Sequence, residues 1–178
     1  MRNFLLGVVA AVLIIIIGGY WYAKQGYMNF AADQKPSQAE THFAMAAVDA
    51  STDRHAGSQK NPLPATDENV AAGAVIYRIN CAGCHGTPVN PESQFGNSFN
   101  PPVPQFFKEG SDMADNKTFY IIQHGIRWSG MPAWNKTLSE NQTWQLVAFL
   151  SHLEKLPPAA QKELAQPESS VPAPSTTR

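Results

Sequence analysis

"RINCAGCHGTP", residues 78–88, holds both cysteines of a 178-residue chain, Cys81 and Cys84, with His85 directly after the second. Four chemistries use such a pair. A disulfide between thiols this close closes a very short loop and gains little entropy. Zinc needs four ligands, and no second cysteine pair exists to complete a ribbon. A thioredoxin-type redox pair follows a strand in a βαβ surround, whereas the residues before Cys81 read as a helix. The fourth is C-x-x-C-H as the attachment motif of a covalently bound haem. Two thiols three residues apart on one helical turn can each form a thioether to a vinyl group of the same porphyrin, and His85 is then carried under the ring to the iron. This reading uses every thiol and suits an oxidising, exported compartment. It predicts one haem c.

Outward from the motif, "TDENVAAGAVIYRIN" reads as a helix. Thr66 is the expected N-cap, and Asp67 and Glu68 lie in the first turn, where the helix dipole favours negative charge. Val70, Ala74 and Tyr77 recur at helical spacing with Gly73 on the same side. "SENQTWQLVAFLSHLEKLPP" reads as the last helix. Ser139 and Gln142 form a capping-box pattern, Leu146, Phe149, Leu150 and Leu153 form an apolar stripe, and Pro157 is the expected stop. "NKTFYIIQHG" reads as a short helix between them, ending at Gly125. Residues 86–110 are rich in proline and glycine with no strand alternation, a long loop that something other than secondary structure must hold. Three short helices in about ninety residues make a thin core, which asks for a large apolar body that the chain does not supply.

Residues 3–23, NFLLGVVAAVLIIIIGGYWYA, carry no charge. As a helix they span about 31 Å, the thickness of a bilayer's hydrocarbon. Arg2 precedes the run and Tyr20, Trp21 and Tyr22 end it, as in a helix whose start stays cytoplasmic. A cleaved signal peptide is the rival, but the best small-x-small site, Ala44-Met45-Ala46, lies far beyond the run, so residues 1–23 are expected to remain as an anchor. Residues 24–65 show no apolar period beyond a weak helical signal in "THFAMAAVDA". They read as a flexible linker, with an end-to-end distance of about 35 Å as a coil. Residues 66–156 are the expected folded domain, and 157–178, rich in Pro, Ala and Ser, read as a disordered tail. The formal net charge of −1 argues against nucleic acid as a partner.

"NVAAGAVIYRINCAGCHG", "GMPAW" and "TWQLVAFLSHL", in that order, resemble a class I cytochrome c. "HGIRWSGMPAW" is similar to the membrane-tethered bacterial cytochrome c domains and subunits that serve haem–copper oxidases. The resemblance covers residues 66–156. It implies an all-α cytochrome c fold, three to four short helices and long loops around one haem, here with an N-terminal transmembrane helix. It places the sixth iron ligand at Met131, whose flanking Gly130 and Pro132 allow close approach and rigid presentation. Met113, His124 and His152 are read as packing, helix-terminal and solvated residues. The resemblance also implies a proline carbonyl near Pro101 or Pro102 as acceptor for His85. Arg127 reads as a partner for a haem propionate or as a solvated arginine, and Trp128 and Trp134 as haem walls or ordinary core aromatics. The implied role is that of an electron carrier without a small-molecule substrate, working in a bacterial respiratory chain. The haem domain would sit on the periplasmic or outer face of the inner membrane, with a quinol-oxidising complex or terminal oxidase as partner. Permanent membership of such a complex is the alternative.

Overall fold

The structure is a computed structural model that describes residues 1–166. All regular structure among them is helical, and the chain divides into two compact units, Met1–Gln34 and Lys35 onward. In the first unit, α1 (Arg2–Lys24) is long and apolar enough to cross a membrane, with a mean hydropathy of 2.5 and no buried residue. Its twenty-three residues rise about 34 Å. At its end Tyr22 stacks on Tyr27 at 5.2 Å between ring centroids, an aromatic group of the kind that favours a membrane–water interface.

In the second unit the core is a crossing of α3 (Asp67–Asn80) and α8 (Glu140–Leu150). Val70, Ala74 and Tyr77 on α3 are buried against Leu146, Val147 and Phe149 on α8. The close approach depends on Gly73: a Cβ there would fall within the Gln145 carbonyl and 2.7 Å from the Phe149 Cβ. Tyr77 and Phe149 then meet at 5.0 Å. Both expected caps are present. Thr66 Oγ1 accepts from the Asn69 N–H, and Ser139 and Gln142 exchange bonds in a full capping box.

The one-turn helix α4 (Ala82–His85) follows α3 directly. Two further single turns, α5 (Gln94–Asn97) and α6 (Phe106–Glu109), punctuate the long loop, and α7 (Asp115–His124) packs on α8. A buried bond from Gln123 Nε2 to Thr143 Oγ1, 2.6 Å, ties α7 to α8.

Three expectations are corrected. Residues 24–65 are not a flexible linker throughout, because α2 (Gln38–His55) spans the middle of the segment and packs on α7. Ser37 caps α2 by accepting from the Glu40 N–H. Thr52 and Ala56 are buried, Asp53 pairs with Lys117, Asn116 donates to the Gly57 carbonyl at 2.7 Å, and His55 stacks on Tyr120. The folded body therefore begins well before Thr66. Second, the segment from 157 is not a disordered tail from its start. Pro158 opens α9 (Pro158–Leu164), where a missing backbone N–H costs nothing, and Ala160 and Leu164 are buried as α9 packs on α3. Glu163 lies 3.8 Å from the buried Arg78 guanidinium. Residues 167–178 of the expected tail lie outside the described residues. Third, α8 stops at Leu150 rather than running to Pro157. His152 Nδ1 and Ser151 Oγ both reach back to the Ala148 carbonyl, and Leu153–Lys155 form a 3₁₀ turn.

Candidate haem-attachment site

Cys81 caps the end of α3 and opens α4, so both cysteines and His85 belong to one turn. The N–H groups of Cys84 and His85 both bond to the Cys81 carbonyl, at 3.1 and 2.9 Å. The turn is closed by Gly86, whose φ of +82° suits glycine and whose Hα faces the Pro91 carbonyl, 2.9 Å from where a Cβ would be. Tyr77 Oη donates to the Gly86 carbonyl at 2.8 Å, which pins the motif to the α3–α8 crossing. Burial, reinforced by the neighbouring cysteines, raises the Tyr77 pKa and keeps the phenol protonated as that donor.

The loop over residues 86–110 is held by buried polar side chains. Ser93 Oγ donates to the Gly83 carbonyl at 2.6 Å and accepts from the Gly96 N–H. Gln105 Oε1 accepts from the Ser93 N–H at 2.7 Å, while Gln105 Nε2 donates to the carbonyls of Cys84 and Val103. Gly96 lies so close to the Cys84 carbonyl that no side chain fits between them. The loop thus grips α4 by its backbone. Neither Ser93 nor Gln105 stood out in the sequence, because the partners that tie them to α4 and to each other lie 10 to 21 residues away with no periodicity to reveal them. Gln105→Ala leaves a buried N–H and two carbonyls without this partner. We expect a loss of about 2–3 kcal/mol in thermal unfolding of the haem-loaded protein. A change below about 0.5 kcal/mol would contradict this role.

His85 is half-buried, and its ring stacks on Phe106 at 4.5 Å and 5°. Its Nδ1 lies 2.9 Å from the Pro104 carbonyl. This corrects the expected acceptor: the carbonyl is that of Pro104, not Pro101 or Pro102, because anchored Gln105 fixes the chain immediately after Pro104. A carbonyl can only accept, so Nδ1 carries the proton and Nε2 keeps its lone pair. Burial lowers the His85 pKa, which also favours the neutral ring. Both thiols are free rather than paired with each other, and burial pushes Cys81 up to about 12. A thiol so reluctant to ionise is unlike the low-pKa cysteine of a disulfide oxidoreductase. Among the described residues no group of three or more His, Cys, Asp and Glu side chains is placed to hold a metal ion. The donor set fits a covalently held haem: two unpaired thiols one turn apart and a neutral imidazole locked through Nδ1.

Met131 is half-buried and packs against the core. Its loop closes on itself through the bond from the Ile126 N–H to the Met131 carbonyl, 3.1 Å, and Ser129 Oγ accepts from the Met131 N–H. The loop's exit is pinned to α7, since the N–H groups of Trp134 and Asn135 donate to the carbonyls of Ile122 and Gln123. Gly125, at φ +67°, lets the end of α7 pass against Met131 and Pro132. The Phe99 ring lies where a Gly130 side chain would be. Of the two expected wall residues, Trp134 packs against the core, whereas Trp128 is 92% exposed at the loop's corner and packs on none of it. Arg127 is exposed, as are Met113 and His124. His152 Nδ1 bonds to the Ala148 carbonyl at 2.8 Å.

A helical body built on a crossing of its first and last long helices, with C-x-x-C-H on the turn after the first, is that of a class I c-type cytochrome domain. Residues 68–150 match the model of a family described as cytochrome c oxidase, cbb3-type, subunit III. No curated protein matches the chain. Among solved structures, a chain of the Kuenenia stuttgartiensis reducing HAO-like protein complex is similar, with 22% identity and a TM-score of 0.44. The match covers 55% of this chain and 50% of that one, so this chain spans half of that chain's length. Electron transfer is the role, and covalent haem c the cofactor, that the matched family implies.

Proposed function

We propose that the chain is a membrane-tethered monohaem cytochrome c, with Cys81 and Cys84 making the thioether bonds and His85 and Met131 the axial iron ligands. The observation that carries this reading is the His85–Pro104 bond beside two unpaired cysteines on one turn. When bound, haem c supplies a one-electron Fe(III)/Fe(II) couple. The chain's own residues hold that couple in place. Pro104 and Phe106 set the plane and tautomer of His85, Gln105 and Ser93 hold the turn beneath it, and the closed 126–131 loop presents a thioether. With haem bound, the Met131 thioether and the His85 imidazole would together favour the reduced iron, raise its potential and leave no site for a substrate. α1 serves as the anchor, and Arg2 at its start favours a cytoplasmic amino terminus with the haem domain outside.

A second reading, permanent membership of a terminal oxidase, draws on the matched family's description as an oxidase subunit and on the docking of α2, which leaves only residues 25–37 between the helices α1 and α2. Co-purification in mild detergent with a haem–copper oxidase would select it over a mobile shuttle.

The deciding experiment is a redox titration by visible spectroscopy on membranes containing the full-length protein, with a haem stain of the denatured band. One low-spin c-type haem, retained after denaturation, is the expected result. Cys81→Ser or Cys84→Ser should weaken or abolish that retention. A compact, colourless protein made with working maturation machinery would refute the reading.

A further inference from the structure

Trp128 is the one non-glycine residue with positive φ among the described residues, at 61°. It occupies the third position of the turn Ile126–Ser129, closed by the Ser129 N–H on the Ile126 carbonyl at 3.2 Å. A positive φ at that place favours glycine or asparagine, and a bulky aromatic there strains the backbone. Core packing does not compensate for the strain, since the side chain is 92% exposed. Strain held at an exposed aromatic points to a role outside the fold.

The surroundings indicate which role. Arg127 precedes Trp128 in the turn and is exposed, and tryptophan and arginine are the residue types that dominate binding hot spots. Two residues on, Gly130 supports the Phe99 ring, which meets Phe95 edge-on at 5.1 Å, and Phe95 is 63% exposed. Charge is uneven as well. Residues 66–156 contain six Lys and Arg against eight Asp and Glu, yet residues 116–139 contain no acid at all. Within that acid-free stretch Lys117 is paired with Asp53, while Arg127 and Lys136 are exposed. Near the Phe95 side, Glu92 is engaged with Lys108 at 3.1 Å. The loop that carries Met131 therefore offers an apolar point flanked by positive charge on an otherwise acidic domain.

We propose that Trp128, flanked by Arg127, is the docking point for a redox-partner protein whose surface there is apolar and ringed by carboxylates. The inference rests on the electron-carrier role. A patch of one tryptophan and neighbouring phenylalanine rings fits the small, transient interfaces of electron-transfer encounters, from which a carrier must leave quickly. The cationic rim sets encounter rate and orientation, and the aromatic sets the lifetime of the complex.

The test uses full-length, haem-loaded protein in its native membranes, comparing reduction driven by a respiratory substrate with reduction by ascorbate. Trp128→Gly and Trp128→Asn suit the turn's φ, so both should fold. Each is expected to slow substrate-driven reduction about tenfold or more while leaving the visible spectrum and the ascorbate rate unchanged. Arg127→Glu and Lys136→Glu should slow it and flatten its dependence on salt, whereas Lys155→Glu should do neither. Unchanged substrate-driven rates in both Trp128 variants would overturn the proposal. So would a shifted spectrum with a slowed ascorbate reaction, which would place Trp128 against the haem. A faster reaction in Arg127→Glu would overturn the acidic partner. Loss of a dimer in either Trp128 variant would mark the patch as a contact between copies of this chain. A wild-type protein without haem would sink the electron-carrier role itself and is told apart by its colour alone.

Discussion

Met131→Ala leaves the protein folded and red but changes the iron. On the proposed ligation, removing the thioether would leave the iron one strong ligand short, so the low-spin spectrum is expected to give way to a high-spin one and the reduction potential to fall. Axial ligands move haem potentials over roughly 0.8 V, so a drop on the order of 0.1–0.3 V is expected. The fold should survive because the loop is closed by backbone rather than by the side chain: Ile126 N–H to Met131 carbonyl at one end, Trp134 N–H to Ile122 carbonyl at the other. The removed group is half-buried, so the loss of stability should be smaller than for a fully buried methionine. Visible spectra and potentiometry of the purified variant check both parts. A persisting low-spin, methionine-type spectrum would exclude Met131 as the ligand and leave Met113, exposed and ahead of α7, as the thioether to examine next.

Gly73→Ala separates two opposed effects. By helix propensity alone, alanine should stabilise α3 by about 1 kcal/mol relative to glycine. Packing predicts the reverse. The new Cβ would overlap the Gln145 carbonyl and stand 2.7 Å from the Phe149 Cβ, both rigid parts of α8, so the helices would have to separate. Overpacking a fixed helix crossing costs about 3 kcal/mol, against a total stability of about 5–15 kcal/mol. Packing wins. For a folded body of about 130 residues the net loss of about 2 kcal/mol lowers Tm by roughly 6–12 °C. Gly73→Val should prevent recovery of haem-loaded protein altogether. Thermal melts followed by haem absorbance provide the check, and an unchanged or raised Tm in Gly73→Ala would show that α3 and α8 do not cross as described.

The parts of this molecule that were legible in advance are those written in short-range patterns. Thr66, Ser139 and Gln142 announced helix starts because a cap acts over three residues, and Val70, Gly73, Ala74 and Tyr77 announced a buried face because helical neighbours lie three and four apart. α2 carries a short-range signal of the same kind, since Ser37 and Glu40 stand in capping-box spacing across its start. α9 left less, a proline at its first position and Ala160 and Leu164 four apart, too short to read without α3 to lie on. Ser93, Gln105 and Gln123 left none. Each is a polar residue in unremarkable surroundings, and its worth lies in a partner that only folding brings near.

By itself, the sequence determined the C-x-x-C-H turn, the long apolar N-terminal helix and the two helices that cross, since each depends on contacts within a few residues or on a run of apolar character. Only the tertiary structure decided that Pro104 receives His85, that α2 and α9 belong to the folded body, that α8 ends at Leu150, and that Trp128 faces solvent in a strained turn. Those outcomes are choices among chemically equivalent partners, several proline carbonyls or several polar segments. They are settled by which groups the packing of α3 on α8 leaves within reach.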